Sequence, residues 1–136
     1  MIKRFDGVSL WSSDLQNLLP FYRDLMGLPV ALNAPGFCIL GDLENPRLCI
    51  GSHSEVSGPT TDAHRWLVRM ESDDIHADVA RLKAAGVPIV EEPNSQGGGF
   101  WLATCKDPEG NLVQLTYWES EAARQGRTEF ARTTLG

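Results

Sequence analysis

The chain has 136 residues, 42% of them hydrophobic, with a formal net charge of -6. That suits one compact domain, or two small modules sharing a core. The acidic balance argues against nonspecific binding to nucleic acid or to an anionic membrane, so neither is an expected partner.

Phe5 to Trp11 alternates enough for a strand, with Gly7, Ser9 and Trp11 on one face. Residues 12–26 carry Leu15, Leu18, Leu19, Tyr22 and Leu25 at helical spacing and predict a helix laying an apolar stripe on a sheet. Ser13 and Gln16 have the spacing of a capping box, and Gly27 ends the segment. Pro20 is a blemish, because a mid-helix proline loses a hydrogen bond. Short strands are expected at about 28–33, 36–40 and 47–51, followed by a polar linker at 52–62.

The second half repeats the order. HRWLVRM, residues 64–70, reads as a strand with Arg65, Leu67 and Arg69 on one face and Trp66 turned to the core. From Asp73 a helix is expected, with Ile75, Val79 and Leu82 inward and Gly86 as its stop. VPIVEE is a short strand and NSQGGG, residues 94–99, a loop beside Phe100 and Trp101, either a short lid or an ordinary flexible connection. Residues 100–105 and 111–118 close the unit as a hairpin around the DPEGN turn. In the last strand Leu112, Gln114, Thr116 and Trp118 share a face, and Val113, Leu115 and Tyr117 share the other.

Cys38, Cys49 and Cys105 are widely spaced in apolar contexts and read as free thiols of a reducing compartment. The start MIKRF runs into Asp6-Gly7 without an apolar signal stretch, so a cytoplasmic location is expected. One domain over 1–118 follows: module one at about 4–51, the linker at about 52–62, module two at about 63–118, and a polar tail at 119–136 with Phe130 and Leu135 as its large apolar residues.

Three stretches, DLQNLLPFYRDLMGLPV at 14–30, DDIHADVARLKAAGV at 73–87 and KDPEGNLVQL at 106–115, together with the repeated order, make the chain resemble the vicinal oxygen chelate superfamily of glyoxalase I, extradiol dioxygenases and bleomycin and fosfomycin resistance proteins. The resemblance implies an α+β fold of two βαβββ modules whose mixed sheets form a curved ligand-binding cup, usually in a homodimer. It also implies metal slots on the first and last strand of each module, which fall on Gly7, Cys49, Arg65 and Gln114. Glutamine cannot act as a general base, glycine offers no side-chain ligand, and a guanidinium repels a cation. No metal and no cofactor is therefore expected. Two separate register slips, one exchanging Gly7 for Asp6 and one exchanging Arg65 for His64, would give an alternative metal centre of Asp6, His64 and Gln114.

The expected ligand-binding set is Trp11, Cys49, Arg65, Arg69, Trp101, Gln114 and Trp118. Tryptophans supply broad stacking surfaces, and arginines suit a carboxylate, phosphate or ring oxygen. Catalytic residues cannot be named from the sequence. The favoured reading is metal-independent binding of a small aromatic or anionic molecule, such as antibiotic sequestration. The alternatives are a metal-dependent glyoxalase-like lyase, isomerase or dioxygenase, and a structural or regulatory interaction protein.

Overall fold

The repeated order is realised as two four-stranded mixed sheets in a computed structural model that describes every residue except Ile2 and 127–136. Phe130 and Leu135 thus lie outside the described residues. The chain divides into two units: Met1–Asp62 with Asp107–Asn111, and Ala63–Lys106 with Leu112 onward.

In the first unit β1 (Gly7–Ser12), β2 (Val30–Ala34), β3 (Phe37–Leu40) and β4 (Arg47–Ser52) pair in the order β1-β4-β3-β2. β1 runs parallel to β4, and the other pairs are antiparallel. Alternate residues Cys38, Leu40, Leu48 and Ile50 are buried and form a core with Leu18, Leu19, Phe21 and Tyr22. The expected continuous helix over 12–26 is instead a 3-10 turn at Leu15–Asn17 and a π-helix at Phe21–Leu25. Pro20 is the reason: lacking an N–H, it cannot continue the ladder, and it stands at the N-cap of the second piece. The cap residue of the first piece is Asp14, whose carboxylate accepts from the Gln16 N–H at 2.9 Å, so Ser13 does not fill that role.

The turn Asp107–Asn111 completes this unit. Asp107 is buried and accepts from the Tyr22 hydroxyl (2.7 Å), the Glu109 and Asn111 N–H groups (both 2.9 Å) and the Asn111 side-chain amide (2.8 Å). Four donors on one carboxylate satisfy a group that would otherwise be costly to bury.

In the second unit β5 (Leu67–Glu71), β6 (Ile89–Gly97), β7 (Phe100–Lys106) and β8 (Leu112–Trp118) pair in the order β5-β8-β7-β6, with β5 parallel to β8. Helix α1 (Ile75–Ala84) buries Ile75, Val79 and Leu82 as its spacing predicts. Asp74 caps it by accepting from the Ala77 N–H at 3.1 Å, and Gly86 takes the positive φ that ends it.

Two expectations fail here. Ala63–Arg65 is a 3-10 turn and β5 starts only at Leu67, so Arg65 has no strand parity; Trp66 is 76% exposed, not core. The stretch 94–97 is strand, paired through bulges to β7, which leaves Gly98 and Gly99 as the whole turn and removes the lid. The architecture is nevertheless α+β, two modules of βαβββ order with open sheets. Among the described residues no helix is long and apolar enough to cross a membrane.

Candidate functional site

Each sheet has a helical face and an open one, and pairing register sorts side chains between them. In the first unit Ser9 stands opposite Cys49, Trp11 opposite Gly51, and Ile39 and Phe37 opposite the same two β4 residues. These share the face away from buried Leu48 and Ile50. Trp11 lies across Gly51 so closely that a Cβ there would be 2.3 Å from its ring. The His53 ring meets the indole edge-on at 5.7 Å, and Trp11 remains 45% exposed. Cys49 is half-buried beside this platform, whereas Cys38 is on the core side, where burial pushes its thiol pKa up.

In the second unit Arg69 pairs with Gln114 and Glu71 with Thr116, while Thr104, Leu102 and Phe100 of β7 face Gln114, Thr116 and Trp118. The Phe100 and Trp118 rings are stacked, 4.4 Å between centroids and tilted by 40°. Arg69 and Gln114, called to the site from sequence alone, are therefore direct neighbours on the open face. Trp101 is not. It falls on the opposite face, edge-on to His76 of α1 at 5.1 Å, with its indole N–H donating to Glu119 at 2.8 Å. Arg65 lies in the turn before β5. Phe37 and Phe100 join the open faces without having been singled out; the alternation of their strands was the available signal.

The metal implied by the resemblance does not fit these residues. Gly7 has φ +153°, and a Cβ built on it would lie 2.1 Å from the Arg47 carbonyl oxygen, so no liganding side chain fits at that position. Gln114 offers a neutral amide and Arg65 a cation. In the register-slipped alternative, Asp6 is already engaged by the Arg47 and Arg4 guanidinium groups.

Two clefts are present among the described residues. One, of about 590 Å³ in the second unit, adjoins the aromatic end of the open face at Trp118 and is lined by Glu71, Asp73, Asp78, Glu119 and Glu121 around Arg124, which pairs with Glu71 and Glu121. Its carboxylate wall disfavours an anionic ligand. The other, of about 450 Å³ in the first unit, is bordered by Asn17, Pro59, Pro108 and Glu109. There Glu109 accepts from the buried Ser12 hydroxyl at 2.5 Å.

Against known proteins, residues 4–115 match the model of the glyoxalase/bleomycin resistance protein/dioxygenase superfamily. The chain is 26% identical over 120 residues to glutathione transferase FosA of Serratia marcescens, covering 85% of this chain and 81% of that one. It shares its fold with a glyoxalase/dioxygenase from Nostoc punctiforme (TM-score 0.71, 14% identity, 87% and 92% of the two chains). It does so also with lactoylglutathione lyase from Agrobacterium tumefaciens (TM-score 0.63, 19% identity, 85% and 94%). Likeness at those identities shows the fold and leaves the reaction open. With the family model spanning most of the described strands and both sheets in its topology, the chain belongs to the glyoxalase/bleomycin resistance protein/dioxygenase superfamily.

Proposed function

We propose that this chain binds a small aromatic or anionic organic molecule without a metal, by sequestration more than by conversion. The observation that carries this reading is the backbone at Gly7, which leaves no space for a first-strand ligand. On the second sheet Trp118, backed by the buried Phe100 ring, supplies apolar surface and Arg69 with Gln114 supplies polar contacts; on the first sheet the exposed indole of Trp11 is a separate apolar surface. The relative named glutathione transferase FosA keeps an enzyme, metal-dependent or not, as the second reading.

Metal analysis of gently purified, untagged protein separates the two. Well under one equivalent of Mn, Ni, Fe or Zn is expected, with no saturable uptake on titration. Near-stoichiometric metal that disappears in His64→Ala or Gln114→Ala would sink the metal-free reading.

We also propose a homodimer. β1 and β5 are sheet margins exposing Val8 and Leu67, apolar surface suited to a second copy. Light scattering on the eluting protein should give twice the chain mass, and a single-chain mass at micromolar concentration would refute it.

A further inference from the structure

The open face of the second sheet changes character along its length. Phe100 and Trp118 form an aromatic end, Leu102 and Thr116 come next, and Thr104, Gln114 and Arg69 form a polar end. Trp118 lies four residues beyond Gln114 on β8, a separation of about 13 Å at the usual strand rise. The Arg69 side chain is exposed and makes no hydrogen bond or ion pair among the described residues. The carboxylates on this face are otherwise occupied: Glu71 is paired with Arg124, and Glu91 accepts from the Asn94 amide.

An unpaired guanidinium beside a primary amide, in a chain of net charge -6, has the donors that suit an oxyanion. Resting on the metal-free binding reading above, we infer that the ligand is an elongated aromatic acid. Its ring system packs on Trp118, which the buried Phe100 ring holds in place, and its carboxylate or similar oxyanion is held by Arg69 and the Gln114 amide. The fixed positive charge of Arg69 does the work of charge recognition at this sheet.

The test uses two probes of equal shape, biphenylcarboxylate and biphenylcarboxamide, with affinity read by tryptophan quenching on the full chain. The wild type should bind the carboxylate more tightly than the amide. Arg69→Gln should lose about 10- to 100-fold for the carboxylate, the size of a charge-assisted bidentate contact, while leaving the amide unchanged. Arg69→Lys should fall between, since it keeps charge but not the planar fork. A purely structural role for Arg69 would weaken both probes together and would overturn the inference. Equal binding of both probes by the wild type, insensitive to Arg69→Gln, would overturn it too while leaving metal-free binding intact. Binding of neither probe overturns it as well, and the metal titration then decides separately whether the broader reading survives.

Discussion

Asp107→Ala is expected to lower unfolding stability by about 3 kcal/mol or more, measured by urea denaturation. The carboxylate serves four donors, and one of them, the Tyr22 hydroxyl, belongs to a fully buried side chain. Alanine removes all four acceptor contacts, and the buried Tyr22 hydroxyl and the turn N–H groups lose a charged acceptor, the costly side of a buried hydrogen bond. Tyr22→Phe removes the same contact from the other side. It leaves no orphaned hydroxyl, and Asp107 keeps three donors, so a loss of only about 1 kcal/mol is expected. Equal losses in the two variants would show that the carboxylate does not organise the turn.

Gly7→His, the substitution that restores a family-type ligand position, is expected to cost about 2–3 kcal/mol and to gain no manganese affinity. The cost arises at Cβ, before any imidazole is considered, because the atom would sit 2.1 Å from the Arg47 carbonyl oxygen and 2.9 Å from its nitrogen. Gly7→Ala should therefore lose nearly as much. Denaturation midpoints for both variants, with Mn titration of Gly7→His, check this. A Gly7→His protein of wild-type stability that takes up one equivalent of Mn would show that β1 can move aside, and that glycine there is incidental.

Where side-chain periodicity met a packed partner, the sequence was legible. Ile75, Val79 and Leu82 on α1 are buried as spaced, and the parity of β8 correctly separates Val113 and Leu115 from Gln114 and Trp118. HRWLVRM misled because alternation over seven residues cannot distinguish a strand from a 3-10 turn followed by a shorter strand, and that moved Arg65 and Trp66 to the wrong places. NSQGGG was read as a loop because an edge strand facing water needs no apolar alternation; its hydrogen bonds to β7 are backbone ones that side-chain identity does not report. Trp101 stands in the expected set as a broad stacking surface, yet its parity with Ala103 and Cys105 puts it on the helical side. The conformation of Gly7 was not legible at all, since glycine is silent about which of its many backbone states is used.

The bulges of β6 bear on how this protein behaves when crowded. That strand is the outer margin of its sheet, and it carries Pro93 and adjacent Glu91 and Glu92, with register broken at three places. β2, the corresponding margin of the first sheet, is short and also bulged. Another chain adding a strand to β6 would find a missing donor, repelling charge and a twisted edge, and at β2 a short edge with one register break. β1 and β5 keep uninterrupted register with their neighbours and have no proline. Each sheet is thus capped against strand addition on one side and receptive on the other, an asymmetry that favours a finite assembly and opposes growth into fibres.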